Sequence, residues 1–207
     1  MAFDIIGDIA IVEEDVDEKK TVAELRETYP HLKTILKKTG GREGEFRTRP
    51  LKKLWGDGTE TTHMEHGMRF RLDVQTCYFS PRESTERQRI AGEVLPKEIV
   101  MVMFAGVGPF SIAIAKKQPK VGRVISVESN PECIRYMEEN VRLNQCKYVV
   151  EPLLGDVGVA CKPHFGRCDR VVMPLPREGC KFLPIALACL KPKGGIIHFY
   201  YVGMRSD

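Results

Sequence analysis

MFAGVGPF, residues 103–110, joins an apolar run to a helix-like segment near the middle of the 207-residue chain. The apolar run EIVMVM, residues 98–103, is typical of a buried parallel strand. The residues that follow, SIAIAKK at 111–117, have the pattern of a helix. Gly106 and Gly108 are therefore predicted to lie at a strand-to-helix turn, where the lack of a Cβ lets the backbone approach a ligand closely.

An acidic residue follows the next apolar run, VISV at 124–127, and lies twenty residues beyond the glycine turn. This residue, Glu128, can accept hydrogen bonds from a ribose diol at the tip of a second strand. Ser111 stands where the dinucleotide fingerprint G-x-G-x-x-G has its third glycine. A glycine turn without that phosphate-binding position favours S-adenosylmethionine, which carries no phosphate. The alternative is an ordinary α/β turn with an acid at a strand end.

Length and composition allow one full domain and a smaller one. The net charge is only +4, although basic residues concentrate at 33–53, downstream of an acidic run at 13–18. This basic segment is a candidate phosphate contact or a solvated surface. The seven cysteines have no zinc or redox spacing, and no signal peptide or membrane-spanning run is found, so we expect a cytoplasmic protein without a metal or a membrane partner.

Residues 1–80 predict a small α+β domain. FDIIGDIAIV at 3–12 predicts two short strands, and TVAE matches a capping box that would start a helix at Thr21. Residues 31–38 predict a short turn with its apolar side chains directed inwards. Residues 61–74 alternate apolar and polar side chains in their second half and predict a β-hairpin.

Residues 81–207 predict a doubly wound parallel sheet, because strand-like and helix-like segments alternate there. Ligands of such sheets bind at the carboxyl ends of the strands. Glu128 and Asn130 follow the second predicted strand, and Asp156 follows the third. Asp156 is suited to accept from an adenine amine, although a loop-capping role is the alternative. Pro174 and Pro176 follow the fourth strand and could form a rigid wall against a planar base, or simply end the strand.

Five segments of this second half resemble the archaeal and eukaryotic tRNA guanine-37 N1-methyltransferase family. They are FAGVGPFSI (104–112), ISVESNPE (125–132), ENVRLN (139–144), DRVVMPLP (169–176) and GGIIHFYYVG (194–203). The first half agrees through FDIIGDIAIV (3–12), GEFRTR (44–49), THMEHG (62–67) and YFSPRESTER (78–87). The resemblance implies a Rossmann-like class I methyltransferase fold, S-adenosylmethionine as the cofactor and the tRNA anticodon loop as the partner.

The resemblance also implies a role for individual residues. Glu86 would take the N1 proton of guanine, and Arg47 would hold the guanine O6, with Arg49 the alternative if the register is shifted. Arg82 would contact the substrate. The residues implied at the cofactor are Tyr78, Phe104, Gly106, Gly108, Glu128, Asn130, Asp156, Pro174 and Pro176. Considered without the resemblance, Glu86 is an exposed acid paired with Arg87 or Arg89, and Arg47 is a surface arginine.

Two alternatives remain open. A sister family transfers an aminocarboxypropyl group in wybutosine synthesis, but it typically has His-Leu in place of Pro109-Phe110 and lacks the arginine that matches Arg82. A non-catalytic tRNA-binding relative is the other alternative, because Val102 replaces an Asp and Pro174 an Asn of the family pattern. We also expect that two further strands of the family's sheet, and an additional small N-terminal domain, are missing from this sequence.

Overall fold

The computed structural model describes residues 2–41, 44, 46, 48–175 and 178–201. The chain divides into two compact units, Met1–Ser84 and Thr85–Asp207. Within the described ranges, no helix has the length and apolar character needed to cross a membrane.

The first unit contains a four-stranded sheet, one helix and a separate hairpin. In the sheet, of order β1-β2-β3-β4, the middle pair is parallel and the outer pairs are antiparallel. Its core is formed by apolar residues of β2, β3 and the helix. The elements are β1 (Phe3–Ile6), β2 (Ile9–Val12), α1 (Glu18–Thr28), β3 (Thr34–Lys38), β4 (Leu51–Gly56), β5 (Glu60–Glu65) and β6 (Met68–Asp73).

The two strands predicted at 3–12 and the hairpin at 61–74 are confirmed. In β6 the alternate residues Met68, Phe70 and Leu72 are buried, as the pattern predicts. Two predictions for this unit are wrong. Helix α1 is capped by Asp17, whose side chain accepts from the Lys20 N–H, and Thr21 lies buried inside the helix. Residues 34–38 form β3 instead of a turn, because pairing with β2 and β4 satisfies their backbone groups.

The second unit contains a five-stranded parallel sheet, as predicted, and the order of its strands is β11-β10-β7-β8-β9. The chain starts in the central strand, moves outward on one side and crosses to the other, so the carboxyl ends of β7 and β10 meet at a topological switch point. The strands are β7 (Ile99–Met103), β8 (Arg123–Glu128), β9 (Val150–Leu154), β10 (Arg170–Met173) and β11 (Ile196–Phe199). Strand β11 is at one edge of the described sheet.

Helices cover this sheet and leave β7, β8 and β10 almost fully buried. The short helix α5 was not predicted, since four residues are too few to display a helical period. The helices are α2 (Ser84–Glu93), α3 (Pro109–Lys117), α4 (Pro131–Leu143), α5 (Val157–Ala160) and α6 (Leu183–Cys189).

Candidate active site

The glycine turn lies between β7 and α3, at the carboxyl edge of the sheet. Three of its residues have positive φ: Phe104 at 58°, Gly106 at 57° and Gly108 at 86°. A Cβ on Gly108 would come within 2.8 Å of the Met137 Cγ. Glycine is therefore needed at position 108 both for the left-handed backbone and for the close approach of α4. The strained non-glycine Phe104 is the kind of backbone outlier that often accompanies a functional site.

Glu128, at the end of β8, is bound directly to this turn. Its Oε2 accepts from the Gly106 N–H at 2.8 Å, and its Oε1 accepts from the Asn130 N–H at 2.9 Å. The half-buried carboxylate is thus fixed at the edge by backbone donors. The structure brings together the two features, glycine turn and strand-end acid, that the sequence predicts as a nucleoside site.

Asn130 and Asp156 both cap helices at this edge. The Asn130 side chain accepts from the Glu132 N–H at 3.0 Å and is buried, so its amide oxygen is used by α4. Asp156 Oδ1 accepts from the Gly158 N–H at 2.8 Å at the start of α5, as its loop-capping alternative predicts. Asp156 is nevertheless exposed, and its Oδ2 has no partner among the described residues.

Apolar side chains complete the edge. Phe104 packs edge-to-face on Phe182, with ring centroids 4.9 Å apart, and Leu154 at the end of β9 remains 57% exposed. Pro174 follows β10 and is half-buried, whereas Pro176 lies outside the described residues. Val102, which departs from the family pattern, is fully buried in β7, where an apolar side chain fits.

Glu86 lies in the first turn of α2, where it is held by Arg89. The Arg89 Nε donates to Glu86 Oε2 at 2.7 Å, and its Nη2 donates to Oε1 at 2.6 Å. The ion pair that the sequence offered as the alternative to a catalytic role is therefore present. The Arg89 hydrogen bond, followed by that of Tyr200, lowers the pKa of the Glu86 carboxyl, although burial opposes the shift. At neutral pH Glu86 is therefore ionised, as a base must be.

Tyr200 is a site residue that sequence analysis missed. Its hydroxyl donates to Glu86 Oε1 at 2.6 Å, and its ring lies 6.4 Å from the Phe110 ring, measured between centroids. Phe110 is the second residue of α3 and follows the glycine turn directly. Tyr200 thus connects Glu86 to the helix that begins at the turn. Its place just after β11, at the carboxyl end of a strand, was the only signal in the sequence.

A second polar network joins α2 to the sheet below Glu86. The fully buried Arg170 donates to Glu98 Oε2 at 2.8 Å and to the Glu93 carbonyl at 2.8 Å. Its Nη1 lies 2.6 Å from the Nε2 of His198, which must accept because arginine only donates. Burial, and then the charge of Arg170, lower the pKa of His198.

The remaining predicted site residues belong to the first unit. Tyr78 donates to Glu83 at 2.8 Å, and Arg82 is ion-paired with Asp4 at 2.7 Å. Tyr78 and Arg49 line a small cavity of ≈ 60 Å³. The Arg49 Nε is buried without a hydrogen-bond partner in the described part of the chain, which leaves a donor for a ligand. Arg47 lies outside the described residues.

Three lysines of the basic segment are paired with carboxylates of the acidic run. Glu18 accepts from Lys37 at 2.6 Å and from Lys52 at 2.9 Å, and Glu13 pairs with Lys38. In sequence, residues 1–84 carry 14 Lys and Arg against 16 Asp and Glu, whereas residues 85–207 carry 18 against 12. The first unit therefore has a net charge of −2 and the second unit one of +6, although the segment at 33–53 is itself basic.

Comparisons with known proteins agree with this geometry. Residues 61–206 match the family model described as the TRM5/TYW2 methyltransferase domain, and residues 1–59 match the TYW2 N-terminal domain. The tRNA (guanine(37)-N(1))-methyltransferase Trm5b of Pyrococcus abyssi is 42% identical over 211 residues, which cover 100% of this chain and 61% of that protein. The chain thus spans about three-fifths of the length of that relative.

The sister activity is also represented among the relatives. The tRNA(Phe) (4-demethylwyosine(37)-C(7)) aminocarboxypropyltransferase of Methanocaldococcus jannaschii is 37% identical over 198 residues, covering 94% of this chain and 76% of that protein. Among solved structures, the complex structure of aTrm5 and tRNALeu superposes with a TM-score of 0.87 at 36% identity, covering 98% of this chain and 60% of that one.

Proposed function

Because the chain belongs to the TRM5/TYW2 methyltransferase family, we propose that it transfers the methyl group of S-adenosylmethionine to N1 of guanine 37 in tRNA. The observation that carries this proposal is the contact chain from Glu86 through Tyr200 to Phe110. It connects the predicted base with the first turn of α3, directly after the glycine turn. The 42% sequence identity to a relative named as a tRNA (guanine(37)-N(1))-methyltransferase supports the same function.

The residues at the carboxyl edge fit S-adenosylmethionine. Glu128 is fixed where a carboxylate can accept from a ribose diol. The unpartnered Oδ2 of Asp156 suits an adenine amine, and the exposed side chain of Leu154 offers apolar surface to the ring beside it. Gly106 and Phe104 would border the remainder of the cofactor. When bound, S-adenosylmethionine supplies an electrophilic methyl group on a sulfonium.

The chemistry asked of the protein is deprotonation and charge stabilisation. Guanine N1 is a poor nucleophile while it carries its proton, so a carboxylate that accepts this proton accelerates transfer. Glu86, ionised and half-buried at the start of α2, is suited to that task. Negative charge then develops on the guanine O6, where a guanidinium would stabilise it. Arg47 was the first expectation for this role, and the buried, unpartnered Arg49 Nε supports Arg49 equally.

We further propose that the anticodon loop of tRNA is the partner and that the protein works in the cytoplasm. The seven free cysteines are consistent with a reducing compartment. Arg82 and Arg49 remain the substrate contacts that we propose in the first unit, and Tyr78 the aromatic that lines the cofactor pocket.

Incubation with an unmodified tRNA transcript and methyl-labelled cofactor tests this function. We expect stoichiometric label in the transcript that has guanine at position 37 and none in a transcript with adenine there. Equal labelling of both transcripts, or none in either while the protein remains folded, would reject guanine 37 as the target.

Aminocarboxypropyl transfer is the second candidate, favoured by the match of residues 1–59 to the TYW2 N-terminal domain and by the Methanocaldococcus jannaschii relative. Two batches of cofactor, labelled at the methyl carbon or at the carboxyl carbon, separate the two reactions. Methyl transfer carries only the first label into tRNA. Aminocarboxypropyl transfer carries only the second, and it requires a 4-demethylwyosine substrate in place of guanine.

A further inference from the structure

The Glu86 carboxylate has an unequal set of donors on its two oxygens. Oε1 accepts two hydrogen bonds, from Arg89 Nη2 at 2.6 Å and from the Tyr200 hydroxyl at 2.6 Å. Oε2 accepts one, from Arg89 Nε at 2.7 Å. Since each carboxylate oxygen has about two acceptor sites, Oε1 is saturated by the described residues and Oε2 keeps one site open. The Glu86 side chain is 30% exposed, so an incoming group can reach it.

Arg89 and Tyr200 fix this carboxylate relative to different parts of the protein. Arg89 is on the same helix as Glu86, is 52% exposed and also contacts Glu93, so its position is shared between two acids. The pair is bidentate and orients the carboxylate relative to α2, but both acids that Arg89 contacts belong to that helix, so it does not relate the carboxylate to the sheet. Tyr200 comes from the segment after β11, is half-buried and rests against the Phe110 ring. It therefore relates the carboxylate to the sheet and to α3.

Resting on the proposed function, we propose that Tyr200 is a positioning residue for Glu86: its hydroxyl occupies Oε1 and thereby presents the open site of Oε2 to the N1 proton of the target guanine. Tyr200 itself does not exchange a proton in this step. The N1–H bond breaks, an O–H bond forms on Oε2, and the electron pair left on N1 bonds to the methyl carbon while the pair of the broken carbon–sulfur bond stays on sulfur, which leaves as a neutral thioether.

Tyr200 stays a donor throughout because burial and the neighbouring carboxylate raise the pKa of its hydroxyl. The other charged and titratable groups that face Glu86 are Arg89 and, at longer range, His198. Loss of the Tyr200 hydroxyl should therefore raise the pKa of Glu86, because a hydrogen bond to the charged form is removed.

The substitution Tyr200→Phe tests the proposal, with Tyr201→Phe as the matched control. Tyr201 is the next residue, is 69% exposed and has no described hydrogen bond. Carbon-13 NMR of glutamate-labelled protein without cofactor, with Glu86→Gln to assign the Glu86 carboxyl signal, measures the pKa directly. We expect the Glu86 pKa to move upward in Tyr200→Phe and to stay unchanged in Tyr201→Phe.

The same variants are then compared by single-turnover methyl transfer as a function of pH. We expect Tyr200→Phe to lower the rate about tenfold, as a misoriented reacting group does. The acidic limb of the pH–rate profile should move to higher pH, while the tRNA concentration at half-maximal rate stays constant. An unshifted Glu86 signal, or a shifted signal with an unchanged limb and rate in an active protein, overturns the proposal. The wild type is assayed first. If it transfers no methyl group, the proposed function itself is overturned, and this outcome is known before any variant is compared.

Discussion

The Glu128 carboxylate accepts the Gly106 N–H at 2.8 Å and so ties the end of β8 to the glycine turn that follows β7. This contact joins two neighbouring strands at their carboxyl ends, where ligands of parallel sheets bind. It also means that the acid is held in place before any cofactor arrives. A carboxylate fixed in advance spends little conformational entropy when it accepts from a diol.

We predict that Glu128→Gln weakens S-adenosylmethionine binding at least tenfold, because a hydrogen bond to a charged acceptor contributes about 1.5–3 kcal/mol. Titration calorimetry measures the affinity. Glu132→Gln, on the exposed first turn of α4, serves as the control and should bind like the wild type. An unchanged affinity in Glu128→Gln would remove this residue from the cofactor site.

We predict that Glu86→Gln lowers the rate of methyl transfer by about 10²–10⁴-fold, the usual contribution of a general base. The affinity for S-adenosylmethionine should stay within about twofold, because the uncharged amide has the same shape as the carboxylate and the lost interaction is one made in the transition state. Glu93→Gln is the matched control because Arg89 contacts both acids. Single-turnover rates decide the matter. If Glu86→Gln and Glu93→Gln transfer methyl groups equally fast, Glu86 is a structural acid.

Gly108→Ala should destabilise the second unit by about 1–2 kcal/mol, because an alanine at φ 86° is strained and its Cβ would approach Met137. Gly92→Ala in α2, where a Cβ meets no atom within 4 Å, should instead be neutral or slightly stabilising. Urea unfolding compares the two variants. Equal stability would contradict the requirement for glycine at the start of α3.

His198 should make the protein less stable in mild acid. Its folded pKa lies below the ordinary histidine value of 6.5, so the unfolded chain binds the proton at a higher pH than the folded protein does. The free energy of unfolding should therefore fall as the pH drops below about 6.5, by at most about 1.4 kcal/mol per pH unit. Above that pH this group has no effect.

The variant His198→Gln checks this assignment, because glutamine keeps an acceptor for Arg170 but cannot take up a proton. Its urea midpoint should decline less than that of the wild type between pH 6.5 and 5.5. His31→Gln, on the surface of the first unit, should keep the wild-type decline. A wild-type decline in His198→Gln would assign the acid sensitivity to other groups.

Glu18→Gln tests whether the basic segment contacts RNA. The change releases Lys37 and Lys52, and each new phosphate contact should steepen the dependence of log affinity on log salt by about 0.7–0.9. Fluorescence titration with tRNA at several salt concentrations measures the slope. Glu24→Gln on the same helix is the control, since the one ion pair of Glu24 among the described residues is with Lys20, at 3.8 Å and outside the basic segment. Identical slopes for both variants would identify the segment as a solvated surface.

Local pattern was sufficient for much of this molecule. The apolar run of β7, the glycine pair and the helical period of α3 are adjacent in sequence, so their arrangement could be predicted from residues 98–117 alone. The predicted start of α1 at Thr21 was wrong. Thr21 and Glu24 satisfy the capping-box pattern, but Asp17 lies one turn earlier and is an equally good cap. β3 was mistaken for a turn because five residues give little periodicity.

The features that could not be predicted depend on contacts between distant residues. Tyr200 and Glu86 are separated by 114 positions, and nothing in GGIIHFYY distinguishes the hydroxyl that reaches Glu86 from its neighbour Tyr201. The neutralisation of Lys37 and Lys52 by Glu18 likewise requires β3 and β4 to be adjacent. Arg47 and Pro176 stay predictions, since they lie outside the described residues.

Mass spectrometry of the tRNA fragment that contains position 37 tests methylation of guanine 37 most directly. The fragment is taken from a transcript that has been incubated with the protein and S-adenosylmethionine. We expect 1-methylguanosine to replace guanosine at that position and at no other. A fragment that remains unmodified, or one that carries the methyl group on a different atom or nucleotide, would contradict it.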